Sequence, residues 1–233
     1  MNGNYDFIVI GRGITGNTTA HYIKLLEPTS RVLLVDKYET CCKGNSGKSA
    51  EKVRDTLASK VGRALARTSI RQFQEIQKGH DIGLNLMGYL WLMSEEQFEK
   101  NQRAIQDMQD NNVRLRIYDS DQLHKNLPQL AYLDAEAKRL GLPEAQLGML
   151  GLDCGSIDPI LLTRYHEAKF RELGGEVVGN KEVTGFVLKK DGALTVQEFP
   201  DDKVYGVRVN GDLVYADRAV VSAVGAWSGK LLE

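Results

Sequence analysis

Glycine and aspartate residues near the start of the chain have the spacing of a nucleotide-binding turn. Residues 11–16 read Gly-Arg-Gly-Ile-Thr-Gly and fit the pattern GxGxxG. Its first glycine permits a tight turn, its second lets the backbone approach a pyrophosphate, and its third lets a helix pack closely on a strand. Asp36 stands where an acidic side chain could bind ribose hydroxyls. These residues predict a dinucleotide-binding fold, and the alternative is a glycine-rich turn in another α/β protein.

The elements around this turn form one βαβ unit. The β-branched run Tyr5–Ile10 predicts a buried parallel strand. Residues Ile14–Leu26 have apolar positions compatible with a helical face, and Pro28 supplies the stop. Arg31–Asp36 predicts a second buried strand. The motif therefore lies between a strand and a helix, as nucleotide binding requires.

The middle of the chain reads as an insertion into this nucleotide domain. After a polar loop at residues 44–47, helical spacing predicts a long helix from Ser49 to about Gln77. Met87–Met93 predicts a strand, Glu95–Asp110 a helix and Val113–Tyr118 another strand. We expect a nucleotide-binding domain of residues 1–85 and 150–233, and a partial substrate or cap domain of residues 86–149.

The last third of the chain predicts a helix followed by a β-meander. Asp158 is a possible cap for a helix that begins at Pro159 and continues to Leu173. Short β runs fill residues 177–224, with breaks at Gly192 and Pro200 and a hairpin signal at Asn210-Gly211. The predicted fold class is α/β: a Rossmann-like domain with a β-meander and an inserted, incomplete α+β domain.

Composition favours a small-molecule partner. The 233 residues include 30 Lys and Arg and 31 Asp and Glu, so no net field points to nucleic acid or an anionic membrane. The four histidines are scattered, which makes a metal site improbable. The first apolar run is too short to span a membrane. Cys41, Cys42 and Cys154 match no disulfide framework, so we expect a reducing, cytoplasmic setting. The adjacent pair could be reactive, and inert thiols are the alternative.

Several separated segments resemble the glycine oxidase, sarcosine oxidase and D-amino-acid oxidase superfamily of flavoproteins, and most resemble its archaeal dye-linked L-proline dehydrogenases. The resemblance covers nearly the whole chain and matches the N-terminal half of those proteins. It is carried by residues 5–16, Val35-Asp36-Lys37, the loop at residues 44–49 with Arg54, the strand at residues 87–90, and the runs at 155–159 and 225–228. It implies FAD, rather than NAD, as the cofactor.

The resemblance also implies roles for residues of this chain. The segment Ser46–Ser49 would lie beside the flavin phosphates or ring, the backbone of Val183 would face adenine, and Ala223–Gly225 would pass the cofactor. Trp227 either belongs to this site or anchors its segment against the sheet. The expected cofactor-binding residues are Gly11, Arg12, Gly13, Ile14, Thr15, Gly16, Asp36, Lys37, Ser46, Gly47, Lys48, Ser49, Val183, Ala223, Gly225 and Trp227.

Three features depart from the family pattern. Arg12 replaces a small residue and could either bind the pyrophosphate or crowd it. Glu51 and Lys52 stand where small or apolar residues are usual, at a helix expected to run against the flavin ring; the alternative is an alignment that slips by one turn. Family members also continue well beyond the segment at residues 225–228, and that further part supplies much of their substrate pocket.

Two classes of function follow from these observations. The first is an FAD-dependent oxidoreductase that transfers a hydride from an amino acid or amine, proline-like, to flavin. Tyr89 and Trp91 are candidates to line its substrate pocket, and core packing is the alternative. The second is a truncated, non-catalytic paralogue, or one half of a split flavoenzyme, that serves in binding or assembly. A complementary chain or a homo-oligomer is therefore an expected partner beside the small molecule.

Overall fold

A computed structural model describes residues 4–127, 135–190, 193–195 and 203–232. Its chain forms two compact units: Met1–Ala50 with Asp158–Glu233, and Glu51–Ile157. The long helix that the sequence predicts within residues 1–85, the first part of the expected FAD-binding domain, lies in the second unit. The functional domain boundaries at residues 85/86 and 149/150 stay a prediction.

The first unit is built on a seven-stranded sheet. In chain order its elements are β1 (Tyr5–Ile10), α1 (Ile14–Leu26), β2 (Val32–Val35), a 3-10 turn (Asn45–Lys48), α6 (Pro159–Glu172), β8 (Glu176–Val178), β9 (Val183–Lys190), β10 (Ala193–Thr195), β11 (Val204–Val209), β12 (Asp212–Ser222), a second 3-10 turn (Gly225–Trp227) and α7 (Ser228–Leu232). The strand order is β10-β9-β11-β12-β1-β2-β8. Strands β12, β1, β2 and β8 are parallel, and β9 to β12 form an antiparallel meander.

Alternation along the parallel strands builds one core on each face of the sheet. Ile8 and Leu33 point to the face covered by the meander, where they pack with Phe186 and Leu188. Val9, Val32 and Leu34 point to the other face, where Ala20 of α1 and Phe170 of α6 cover them. Because both faces are covered, β1 and β2 are apolar at nearly every position, as is usual for buried parallel strands.

The second unit contains β3 (Lys52–Val53), α2 (Lys60–Gly79), β4 (Tyr89–Met93), α3 (Glu95–Asp110), β5 (Leu115–Tyr118), α4 (Ser120–Asn126), α5 (Ala135–Arg139), β6 (Leu147–Gly151) and β7 (Gly155–Ser156). Strands β4, β6 and β5 form an antiparallel sheet in that order. Ile105 and Met108 of α3 pack against Met149 of this sheet. The unit therefore has a core of its own.

Most predicted elements are confirmed, and the long helix is the main correction. The strand Tyr5–Ile10 and the helices Ile14–Leu26 and Glu95–Asp110 have the predicted bounds. The helix expected from Ser49 begins only at Lys60, because Val53 pairs with β7 and Ser59 caps the helix by accepting a hydrogen bond from the Gly62 amide. Glu51 and Lys52 are consequently not on a helix. The predicted breaks at Gly192 and Pro200 lie outside the described residues.

Candidate dinucleotide-binding cleft

A cleft of about 660 Å³ opens in the first unit at the carboxyl ends of β1, β2 and β12. Parallel strands end at the same edge of their sheet, and ligands of open α/β sheets bind there. The loops that follow these three strands form most of the wall. The glycine motif follows β1, Asp36 follows β2, and Ala223 follows β12.

The three motif glycines face different neighbours. Gly11 has φ of +104°, and a Cβ there would lie 2.6 Å from the Ala223 carbonyl oxygen. A Cβ on Gly16 would lie 1.8 Å from the Gly11 carbonyl oxygen, so this glycine lets α1 pack against the turn. A Cβ on Gly13 would meet only the Ser46 hydroxyl, at 3.1 Å. Gly11 and Gly16 therefore shape the turn, whereas Gly13 leaves room beside it.

Ser46 connects the second loop to the start of α1. Its Oγ accepts a hydrogen bond of 3.0 Å from the backbone amide of Ile14. Gly13, the N-cap residue, has no side chain to do so. The first amides of a helix have no partner within it and, together with the helix dipole, favour an anion. The loop thus lies at the end of α1 where a phosphate would bind.

The carboxylate of Asp36 is fixed by two backbone amides. It accepts hydrogen bonds of 2.7 Å from Arg12 and 2.8 Å from Tyr38. These bonds tie the end of β2 to the glycine motif and hold the carboxylate at the cleft wall. A carboxylate has about four acceptor positions, so two remain for ribose hydroxyls.

The Arg12 side chain is engaged with protein groups. Its guanidinium makes a two-pronged ion pair with Glu167 of α6, with N···O distances of 2.9 to 3.1 Å, and donates to the Glu39 carbonyl oxygen at 2.7 Å. The side chain is 6% exposed. Sequence reasoning considered Arg12 a phosphate ligand or an obstruction, and it missed Glu167, which no local pattern marks.

Cations and aromatic rings surround another part of the cleft. The Lys37 ammonium lies 5.3 Å from the ring centre of Tyr38 and 5.1 Å from that of Trp227. A Cβ on Gly44 would lie 3.3 Å from the Trp227 ring, so the ring packs on this loop. Lysines that sequence analysis did not single out also line the wall: Lys43, Lys181 and Lys230.

The structure brings eleven of the sixteen expected residues to the cleft wall. They are Gly11, Arg12, Gly13, Thr15, Asp36, Lys37, Ser46, Val183, Ala223, Gly225 and Trp227. The other five lie outside the wall: Ile14, Gly16, Gly47, Lys48 and Ser49. Gly47 instead packs under the loop, where a Cβ would lie 2.0 Å from the Cys42 carbonyl oxygen. Cofactor binding by the individual residues remains a proposal.

Within the described ranges, no group of three or more His, Cys, Asp or Glu residues is arranged to hold a metal ion. No helix in the described part of the chain is long and apolar enough to cross a membrane.

The parallel sheet, the glycine turn and the acidic residue after β2 define a Rossmann-like dinucleotide-binding protein. The chain belongs to the FAD dependent oxidoreductase family (DAO), whose sequence pattern matches residues 6–233. This confirms both the predicted family and FAD as the cofactor. The room beside Gly13, the amides at the α1 N-terminus and the carboxylate of Asp36 fit the nucleotide part of that cofactor.

Known relatives share the fold over about half of their own length. The chain is 24% identical to bovine (Bos taurus) "FAD-dependent oxidoreductase domain-containing protein 1", covering 98% of this chain and 49% of the relative. The structure of this chain is similar to that of L-proline dehydrogenase from P. horikoshii (TM-score 0.79, 19% identity, covering 99% of this chain and 55% of the other). It is also similar to glycine oxidase from Bacillus cereus (TM-score 0.72, 22% identity, 98% and 57%).

Proposed function

We propose that this chain forms the FAD-binding part of an oxidoreductase that removes a hydride from the carbon beside the nitrogen of an amino acid or amine. The observation that carries the proposal is the cleft at the strand ends, where Gly13 leaves room for a pyrophosphate at the start of α1. Similar proteins include enzymes named for L-proline and glycine, which favours a proline-like or other small amino acid as substrate.

Different residues of the cleft are proposed to bind different parts of FAD. The start of α1 would face the pyrophosphate, Asp36 would bind the adenosine ribose, and the backbone at Val183 would lie beside adenine. When bound, FAD supplies the hydride acceptor, so the protein needs to bind, orient and exclude water rather than provide a nucleophile. Arg12 contributes by fixing α6 to the glycine turn through Glu167.

The second unit offers a cation suited to a substrate carboxylate. The Arg54 guanidinium lies 5.1 Å from the ring centre of Trp91 and 5.9 Å from that of Tyr89. Trp91 is itself held by its indole N–H, which donates to the Thr56 hydroxyl at 3.4 Å. Among the described residues Arg54 has no acidic partner, whereas a planar guanidinium binds carboxylates with two hydrogen bonds. We propose that Arg54 binds the substrate carboxylate.

Reconstitution with FAD tests the cofactor site. Purified protein should gain flavin absorbance with FAD and show no comparable binding of NAD. Asp36→Ala should weaken FAD binding, because it removes the proposed ribose acceptor and the link to the Arg12 amide. The control Asp212→Ala changes an exposed acidic residue at the hairpin of the same unit. Tight binding of NAD without FAD would contradict the proposal.

Titration of substrates tests Arg54. L-proline should bind the FAD-loaded protein more tightly than pyrrolidine, which lacks the carboxylate. Arg54→Gln should remove this difference, and Arg116→Gln on the neighbouring sheet should preserve it. Equal binding of both compounds by the unaltered protein would argue against a carboxylate site at Arg54.

The chain spans only about half the length of its relatives, and turnover depends on the part that it does not span. We propose that catalysis also needs the segment that corresponds to the rest of those relatives, supplied by the same polypeptide or by a complementary chain. The expected result is FAD binding with little dye reduction by the 233-residue chain alone. Light scattering combined with a proline-dependent dye assay tests this. A monomer that reduces dye with proline would overturn it.

The proposed setting is the reducing cytoplasm. It rests on the cysteines, all three of which are thiols in the structure. Disulfides are rare in that compartment. Cell fractionation tests the assignment, and recovery of the native protein from an oxidising compartment would contradict it.

A further inference from the structure

The adjacent thiols Cys41 and Cys42 lie directly behind the cofactor cleft. Cys41 is partly exposed, whereas Cys42 is buried. The backbone amide of Cys42 donates to the Arg12 carbonyl oxygen at 3.2 Å, and its own carbonyl oxygen packs against Gly47. The pair therefore joins the glycine turn to the loop that caps α1 through Ser46. The backbone of Cys42 thus contacts both loops at the phosphate end of the cleft.

The surroundings of Cys41 favour its thiolate. A hydrogen bond from Cys42, together with the cations of Arg12 and Arg164, lowers the pKa of Cys41 to about 7, against the opposing effects of burial and Glu167. The structure also places the Cys42 thiol 3.9 Å from the Pro159 carbonyl oxygen, to which it can donate instead. The Cys41 thiolate is therefore more populated near pH 7 than that of an ordinary thiol.

Arg164 points to the chemical class of the reagent. This residue is exposed on α6 and acts electrostatically on Cys41, and among the described residues it has no acidic partner. The Arg12 charge, in contrast, is already paired with Glu167. A guanidinium without a partner favours anionic groups carried by an incoming molecule. Small disulfides that bear carboxylates fit this surface better than cationic ones.

We propose that Cys41 is a modification site that forms a mixed disulfide with a carboxylate-bearing, low-molecular-mass thiol and thereby weakens FAD binding. The Cys41 thiolate attacks one sulfur of the oxidised form of that thiol, the existing S–S bond breaks, and one equivalent leaves as a thiolate. The leaving sulfur is reduced as the Cys41 sulfur is oxidised, so no other oxidant is needed.

Cys42 does not resolve this adduct readily. Consecutive Cα atoms are about 3.8 Å apart, shorter than the usual span of about 4.4 to 6.8 Å across a disulfide. A bridge between neighbours is therefore strained. The mixed disulfide persists until an external thiol removes it, and its bulk lies against the segment that carries Cys42, between the glycine turn and Gly47. The effect on FAD rests on the cofactor site proposed above, whereas the modification itself does not.

Mass spectrometry of the intact chain tests the modification. Oxidised glutathione should add one glutathionyl group, at Cys41, roughly tenfold faster near neutral pH than at an ordinary thiol. The buried Cys154 is the internal control, since burial raises its pKa. Cys41→Ser should abolish the adduct, and Cys42→Ala, which removes the hydrogen-bond donor, should slow its formation. Modification confined to Cys42 or Cys154, or no faster than at an ordinary thiol, would overturn the proposal.

A charge comparison isolates the role of Arg164. Oxidised glutathione should react faster than cystamine, a small cationic disulfide, and Arg164→Gln should reduce that preference. The control Arg171→Gln changes another exposed arginine of α6 and should leave it intact. Equal rates with both disulfides would show that the surface does not select carboxylates.

Coupling to the cofactor is measured separately. The purified mixed disulfide should bind FAD at least about tenfold more weakly, and saturating FAD should lower the equilibrium constant for mixed-disulfide formation at Cys41, measured in a glutathione redox buffer, by the same factor, because linkage is reciprocal for equilibria. Cys41→Ser treated with oxidised glutathione should keep its FAD affinity. Modification without any change in FAD affinity would overturn the coupling. Failure of the unmodified chain to bind FAD would instead contradict the proposed function.

Discussion

Gly13 and Gly16 belong to one motif, but their substitution should have different consequences. A Cβ on Gly13 meets only the movable Ser46 side chain, whereas a Cβ on Gly16 overlaps the backbone of Gly11. We expect Gly13→Val to weaken FAD binding by at least tenfold, or about 1.4 kcal/mol, with little change in unfolding temperature. Flavin titration and thermal unfolding measure the two effects.

Gly229→Ala is the control for that experiment, because an added Cβ there meets nothing within 4 Å. It should leave FAD affinity unchanged. Gly16→Ala should instead lower the unfolding temperature, since the Gly11 carbonyl must move. Normal FAD affinity in Gly13→Val would mean that the turn does not approach the nucleotide.

The ion pair between Arg12 and Glu167 should affect stability mainly when one partner is removed, because the other charge then stays buried without a partner. Removing one partner of a buried pair costs about 3 to 5 kcal/mol, because the other charge remains buried. We expect Glu167→Gln to approach this cost and to lower FAD affinity, with part of the stability regained in the Arg12→Gln/Glu167→Gln double variant. Denaturant unfolding measures the free energy of unfolding of each variant.

Arg171→Gln is the matched control for this pair. Arg171 also contacts Glu167, at 3.2 Å, but its side chain is half exposed. Exposed ion pairs contribute about 0 to 1 kcal/mol, so the change should be small. Equal losses in Glu167→Gln and Arg171→Gln would contradict the assignment of Arg12 as the dominant partner.

At the scale of elements, α1 and α6 meet through a buried histidine pair. The Nδ1 atoms of His21 and His166 lie 3.0 Å apart, so one ring donates and the other accepts. Burial and the neighbouring His21 lower the pKa of His166 from 6.5 to about 4. Burial and Lys169 lower the pKa of His21, and Glu172 acts in the opposite direction. Both rings are therefore neutral at pH 7.

This pair should make the protein less stable in acid. A histidine whose pKa is lowered by folding contributes fully above pH 6.5 and loses that contribution as the pH falls toward 4, since the unfolded chain then binds more protons. We expect a loss of up to about 3 kcal/mol over this range, measured by denaturant unfolding at several pH values.

The control variants assign that loss to the pair. His166→Gln should flatten the pH dependence, whereas His80→Gln, at an exposed position of the second unit, should preserve it. A His166→Gln protein with the full acid loss would show that other groups dominate.

At the scale of the whole molecule, each compact unit contains a separate core. The clusters around Ile8 and Val9 belong to the first unit and the cluster around Ile105 to the second. We expect the first unit, with residues 1–50 joined to residues 158–233 by a flexible Gly/Ser linker, to fold and bind FAD with an affinity within about tenfold of the full chain. Circular dichroism and flavin titration check this.

The Gly13→Val change in the joined protein is its control and should remove FAD binding as it does in the full chain. A joined protein that folds but binds no FAD would contradict the assignment of the whole nucleotide site to the first unit. An unfolded joined protein would contradict the independence of its core.

Local rules determined the nucleotide-binding scaffold from sequence. Residues 5–36 carry strand and helix periodicity with glycines between them, and these short-range preferences suffice to predict β1, α1 and β2. The hairpin at Asn210-Gly211 is similarly local: both residues have positive φ, of 48° and 93°, and they join Val209 to its partner Asp212. This is the geometry that such a pair favours in a two-residue hairpin.

Tertiary structure alone decided how the side chains around that scaffold are used. Arg12 pairs with Glu167, 155 residues away, and the Ser46 hydroxyl caps a helix that begins 32 residues earlier. Periodicity also placed the start of α2 too early, because pairing of Val53 with a distant strand overrides its helical spacing. Sequence determines what depends on neighbouring residues, whereas these contacts depend on which segments the folded chain brings together.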